Sequence, residues 1–292
     1  MKIVSYRSGA SPSYGVVEVG GSLDDLASAR VVDIPALGIG APEGVVEFLE
    51  RYGEFAAGVV SAASGAEGVR FDALDLLPVI PRPGNIICVG VNYVDHADEA
   101  STDVPDVPLV FMKYTSSVAA HGSDIVLPPE SVAVDYEGEL AVVISRTASR
   151  VSAEDALDFV GGYVALNDVS ARDFQLRTSQ WVQGKSFPTF APTGPYLVTP
   201  DEIPDPQALQ LRLTIGDETL QAASTADMIF SVRHLVSYLS TVGTLLPGDI
   251  IATGTPSGVG AVRTPPRWLR DGDVVSVAID GLPTLTNTVR TH

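Results

Sequence analysis

One cysteine, Cys88, occurs in 292 residues, so no disulfide can form within the chain. Its setting in NIICVG reads as a buried strand position and not as a reactive thiol. No apolar run reaches the length of about 18 residues that a membrane-spanning helix needs. The first residues, MKIVSYRSGA, lack the apolar stretch of a signal peptide and read as a strand, which makes a cytoplasmic location the expectation. Basic residues are scarce: 18 Lys and Arg face 36 Asp and Glu, a formal charge of −18. That balance argues against nucleic acid as a partner, because phosphates need basic patches. It also repels an anionic small molecule at long range, so such a substrate would need local cations at its site. Lysine is rarer still, limited to Lys2, Lys113 and Lys185. GxGxxG and the phosphate-loop pattern are missing, as are internal repeats and low-complexity tracts, which lowers nucleotide binding as a function.

What remains is a hydrophobic content of 45% and length enough for a substantial core. Residues 1 to 75 differ from the rest. KIVSYR and YGVVEVG alternate like a hairpin, and APEGVVEFLERYGEFAAGVVSAA has helical spacing. VIPRPGNI, with Pro81 and Pro83, reads as a linker into the strand IICVGVNY. Further strands are expected at LVFMKY, IVLP, ELAVVI, YVALNDVS, YLVTP, LQLRLTIG, DIIATGT and DVVSVAID, with helices at 94–101, 152–160 and 230–242. The absence of regular βαβ alternation predicts an α+β fold, mainly β, built as a mixed sandwich or roll.

Five segments can carry chemistry. In DYEGELAVVI, alternation along a strand would place Asp135, Glu137 and Glu139 on one face. Asp168 ends another apolar strand, and carboxylates converging from two strands would make a hard oxygen site suited to Mg²⁺, Mn²⁺ or Ca²⁺. Spacing alone leaves a solvated strand edge open as well. In NYVDHADEA, His96 and Glu99 fall one helical turn apart, the arrangement of an imidazole oriented by a carboxylate, or of a surface ion pair. In SARDFQ, Arg172 and Gln175 can hold a ligand carboxylate and carbonyl. Lys185 sits in the glycine- and proline-punctuated stretch QWVQGKSFPTF, and Thr255 in the small-residue turn GDIIATGTPSGVG. His121 and His234 read as a loop residue and a helix residue of structural role.

Taken in order, GVNYVDHADE, FMKYTSSV, DYEGELAVVI, GYVALNDVSARDFQ, GKSFPTFAPTGPYLVT and IIATGTPSGVG resemble the fumarylacetoacetate hydrolase family over about residues 83 to 262. The resemblance implies a catalytic domain over 76–292 with a small β-rich lead-in over 1–75, and a homodimer. It implies that Glu137, Glu139 and Asp168 bind a divalent cation, usually Mg²⁺ or Mn²⁺, while Asp135 belongs to the motif as a strand-end residue and not as a ligand. His96, Glu99 and Lys185 match catalytic positions, and Arg172, Gln175 and Thr255 match positions near the substrate. The reaction it implies is hydrolysis of a C–C bond in a 2,4-diketo acid such as an acylpyruvate. Decarboxylation or keto–enol isomerisation of an oxaloacetate-like acid is the first alternative. A non-catalytic protein with a structural Ca²⁺ is the second. Pro188, Tyr114 and His121 depart from the family pattern close to Lys185 and Lys113, which implies an altered pocket.

Overall fold

The computed structural model describes all 292 residues. The stretch ELAVVI explains the architecture, because its side chains alternate between two cores. Leu140, Val142 and Ile144 belong to one apolar cluster, with Leu211, Leu213, Val275, Val277 and Ile279. Ala141 and Val143 belong to another, with Ile3, Val32, Phe48, Leu49 and Val59. A strand covered on both faces carries no polar alternation, hence the unbroken apolar run.

Strand Gly138–Ile144 is central in a twelve-stranded mixed sheet. It pairs antiparallel with Val160–Asn167 on one side and Ile250–Ala252 on the other. Ile86–Gly90 then pairs parallel to Ile250–Ala252, and Leu109–Lys113 closes that edge antiparallel. One face of this sheet packs on a five-stranded sheet that includes Gln210–Ile215, Glu218–Ser224, Val274–Ile279 and Leu285–Thr291. The result is the mixed, mainly β sandwich expected.

The N-terminal segment covers the opposite face. Lys2–Ser8 pairs with Ala191–Val198, so the first strand extends the main sheet. Helices Val45–Glu50 and Tyr52–Ala63 bury Phe48, Leu49 and Val59 there. Burial of each such side chain contributes about 2 kcal/mol. Helices also form at Val94–Glu99 and Val232–Val242, as expected. The expected helix at 152–160 is instead a turn leading into the short 3-10 segment Ala156–Phe159. There Val160 already belongs to the next strand, which leaves too little chain for an α-helix.

Candidate active site

The acids converge through strand register. Gly138 lies opposite Asn167, so Glu137 and Asp168 face each other where the two strands end. Asp168 N donates to Glu137 O at 2.8 Å, and Glu137 N donates to Asn167 Oδ1 at 3.0 Å. Glu139, two residues into the strand, receives the Gly254 N–H on Oε2 at 2.8 Å. Glu137, Glu139 and Asp168 are all buried, and one carboxylate oxygen from each lies within 4.8 Å of the others.

Asp135 is not in this cluster. The chain breaks between strands Val134–Asp135 and Gly138–Ile144, and the shorter one pairs with Ser170–Ala171. The Asp135 carboxylate accepts from the amides of Tyr136, Gly260 and Ala261 at 2.9, 2.7 and 3.0 Å. It also holds Arg172, with Nε and Nη2 each 2.9 Å from Oδ2. The first acid of the motif therefore fastens the 258–262 turn to Arg172.

Arg172 in turn lies 2.7 Å from Glu137 Oε1 and donates from Nη1 to Gln175 Oε1 at 2.9 Å. Lys185 Nζ bridges Glu137 Oε2 and Asp168 Oδ2, the latter at 2.8 Å. Lys113, absent from the sequence-derived candidates, is fully buried and donates to Asp168 Oδ1 at 2.5 Å and Val169 O at 3.1 Å. Its strand position 55 residues before Asp168 gave no local signal.

The electrostatics are uneven. Burial raises the Glu137 carboxyl, but Lys185 and Arg172 outweigh it and hold the group well below the usual range. Burial lowers the Lys185 ammonium, yet Asp168 and Glu137 bring it above its ordinary value. For Lys113 burial wins over Asp168, and its ammonium is pushed down. Glu139 is pushed well up, by burial first and then by its like-charged neighbours Asp168 and Glu137. Four carboxylates, including Asp135, thus face the three cations Arg172, Lys113 and Lys185. A divalent cation among Glu137, Glu139 and Asp168 would tip the balance to positive, and three buried carboxylates are a suitable hard-oxygen donor set for it.

Above the acids, Gly90, Val91 and Asn92 turn the chain from strand Ile86–Gly90 into helix Val94–Glu99. Asn92 pins this turn: Nδ2 donates to Phe230 O at 3.0 Å and Thr253 O at 2.7 Å, while Oδ1 accepts from Phe230 N at 2.7 Å. The helix then brings His96 to the site. His96 Nδ1 is 2.7 Å from Glu99 Oε1, and Glu99 Oε2 accepts the Gly258 N–H at 2.8 Å. Glu99 therefore orients the imidazole and ties the helix to the 254–258 turn. In that turn the Thr255 hydroxyl donates to Gly138 O at 3.0 Å and accepts from Gln221 Nε2 at 2.8 Å.

These groups surround a cavity of about 50 Å³, lined by His96, Glu137, Glu139, Arg172, Gln175, Lys185 and Thr255 and walled by Val89, Gly90, Val91, Phe111 and Trp181. Asp168 and Glu99 lie immediately behind the lining. All nine sequence-derived candidates thus meet in one place. Arg172–Gln175 and Val182–Lys185 are short helices that touch at Gly184, where a Cβ would lie 2.4 Å from Gln175 N and 2.5 Å from Ala171 O. Cys88 is buried and its thiol is pushed well up by burial, consistent with a core residue.

Comparison with known proteins agrees with this geometry. The family described as fumarylacetoacetate (FAA) hydrolase C-terminal matches residues 85–290. A mitochondrial oxaloacetate tautomerase of Rattus norvegicus is 42% identical over 262 residues, 89% of this chain and 83% of that protein. Its Xenopus laevis counterpart is 40% identical over 99% of this chain and 90% of its own length. Among solved structures, fumarylacetoacetate hydrolase from Exiguobacterium antarcticum has a TM-score of 0.85 and 34% identity, covering 100% of both chains. Maleylpyruvate hydrolase from Sphingobium sp. SYK-6, in complex with manganese(II) and pyruvate, has a TM-score of 0.81 and 29% identity, covering 100% of this chain and 99% of that one. The relatives correct one expectation. A cytoplasmic location was read from the first strand, whereas the tautomerases are mitochondrial. Targeting segments lie outside the folded domain, so a first strand carries no information about compartment.

Proposed function

The chain belongs to the fumarylacetoacetate hydrolase family, and from that premise we propose a divalent-metal-dependent enzyme that interconverts the keto and enol forms of a short 2-keto diacid of the oxaloacetate type. The observation that carries this reading is the His96–Glu99 pair at 2.7 Å, with His96 at the cavity wall. A carboxylate only accepts, so Nδ1 donates to Glu99 and the Nε2 lone pair is left for a substrate proton. His96 would remove the proton from the carbon beside the keto group and return it to the keto oxygen. Lys185 would offset negative charge on that oxygen. Gln175 and Thr255 line the substrate side, while Arg172 holds both Glu137 and Gln175. A cation held by Glu137, Glu139 and Asp168, Mg²⁺ or Mn²⁺ in our reading, supplies Lewis-acid polarisation of the keto oxygen when bound. Tautomerase relatives at 40–42% identity favour this chemistry.

A second reading uses the same pair differently. His96 can take a proton from water, which then attacks the distal carbonyl of a 2,4-diketo acid and cleaves the C–C bond. The likeness to maleylpyruvate hydrolase favours it. Decarboxylation needs no such base. The test is oxaloacetate and a panel of acylpyruvates, assayed with Mg²⁺ and Mn²⁺ and analysed for products. The expected result is metal-dependent ketonisation of enol-oxaloacetate that falls about 100-fold or more in His96→Ala. Cleavage of diketo acids without tautomerisation would replace this reading with the second one.

We also propose a homodimer. The edge strand Leu109–Lys113 is unpaired on its outer side, and Val104, Val107, Val110, Met112 and Tyr114 are exposed on and around it. In a chain of charge −18 an unpaired strand edge with this many exposed apolar side chains is where a second copy can approach. Light scattering after gel filtration tests it. The division at residue 75 we retain as a boundary of sequence character. Deletion of residues 1–75 should uncover strand Ala191–Val198 and abolish folding, as read by circular dichroism.

A further inference from the structure

We propose that Trp181 sets the length limit of the substrate, fitting the site to short 2-keto acids and excluding 2,4-diketo acids with extended acyl groups. The inference rests on the keto-acid reading above. The groups that can hold a substrate's keto and carboxylate oxygens, Lys185, Arg172 and Gln175, belong to two short helices beside the buried acids. The opposing wall is apolar and comes from strands further toward the edge of the same sheet: Val89 and Gly90 from strand Ile86–Gly90, and Phe111 from the edge strand Leu109–Lys113. Trp181 completes it from the residue just before helix Val182–Lys185.

The indole packs closely against the strands. It lies on the bare backbone of Gly90, where a Cβ would be 2.6 Å from Cζ3 and 3.1 Å from Cη2. Phe111 stands against it at 5.3 Å between ring centroids, tilted by 61°. The Lys185 ammonium is 4.8 Å from the centroid of the same Phe111 ring. A ligand held by Lys185 therefore meets the aromatic wall after little more than the width of one side chain, and the cavity between holds about 50 Å³. Because Trp181 directly precedes the helix that carries Lys185, wall and ammonium are fixed relative to one another. Additional methylenes on a substrate run into the indole, and close-packed walls discriminate by roughly tenfold or more per group that does not fit.

The experiment compares kcat/KM for oxaloacetate with that for a series of straight-chain acylpyruvates, in the full-length protein loaded with Mn²⁺. Trp181→Ala is expected to raise the ratio of longest to shortest substrate by about tenfold or more, and Trp181→Leu by less in the same direction. An unchanged ratio in either variant, with wild-type Mn²⁺ affinity and melting temperature, overturns the proposal. Should Trp181→Ala fail to fold, Trp181→Leu carries the comparison. A wild-type protein that turns over none of these acids would sink the functional reading. Calorimetric binding of the same acid series to wild type and variants, with Mn²⁺ present, then still decides the length limit by the same ratio.

Discussion

Lys185 Nζ lies 2.8 Å from Asp168 Oδ2 and also reaches Glu137, so one ammonium stands between two of the three clustered acids. A cation binding those acids must displace it. Removal of the ammonium in Lys185→Met leaves buried carboxylates uncompensated, which costs on the order of 3 kcal/mol. The metal-free variant should therefore melt well below the wild type. Mn²⁺ should raise its melting temperature by more than it raises that of the wild type, because no competing cation has to leave. Equal Mn²⁺ shifts in calorimetric melts would contradict this competition.

Glu99 has two jobs, one per oxygen. Glu99→Ala should lower kcat by about 100-fold through loss of the oriented imidazole. It should also speed hydrogen exchange across residues 94–100, since the tie to Gly258 is gone. A fall in kcat with unchanged exchange would mean that the second oxygen does not hold the helix.

Asp135 fastens Arg172 and two turn amides instead of taking part in the acid cluster. Asp135→Asn should cost on the order of 3 kcal/mol in unfolding by urea, as expected for breaking a buried ion pair. Its Mn²⁺ affinity should fall much less than that of Glu139→Gln. Comparable losses of affinity in the two variants would make Asp135 a ligand after all.

His121 supplies the pH prediction. Its ring is pushed down to about 4 from an ordinary value of 6.5, by burial against a smaller opposing effect of Asp24. Nδ1 accepts the Thr286 N–H at 3.1 Å, a bond that protonation of Nδ1 would break. The folded state thus takes up its proton later than the unfolded state does. This contribution is complete above about pH 6.5 and disappears as pH falls toward about 4, a loss of up to about 3 kcal/mol. His121→Asn, which keeps an acceptor for Thr286, should flatten stability over that window in denaturation midpoints taken at stepped pH. A wild-type slope in the variant would place the acid sensitivity elsewhere.

Sequence patterns gave the site where chemistry follows local spacing. Glu137 and Glu139 were legible from alternation, and His96 with Glu99 from a single helical turn. Alternation put Asp135 on the face of Glu137 and Glu139, yet only those two were expected as ligands, and the break at residues 136–137, which depends on pairing with Ser170–Ala171, does take Asp135 out of the cluster. Lys113 and Trp181 were not singled out, since their contacts with Asp168 and Gly90 span 55 and 91 positions. The only available cue was that Lys113 is one of three lysines and that Trp181 stands four residues before another. The alternating N-terminal hairpin was legible as strands, but its union with Ala191–Val198 was not, because pairing across the whole chain leaves no local periodicity.

The contact at Gly184 bears on how this scaffold could diversify. With no room for even a methyl group there, the two short helices form one block whose ends are held at fixed separation. The segment 176–181 that leaves and re-enters this block is a closed surface loop, with Leu176 largely exposed. Insertions into such a loop add little closure entropy. Residues added at 177–180 would reshape the approach to the cavity while Arg172, Gln175 and Lys185 kept their places, which makes this loop the natural entry point for grafting new specificity onto an unchanged set of acids.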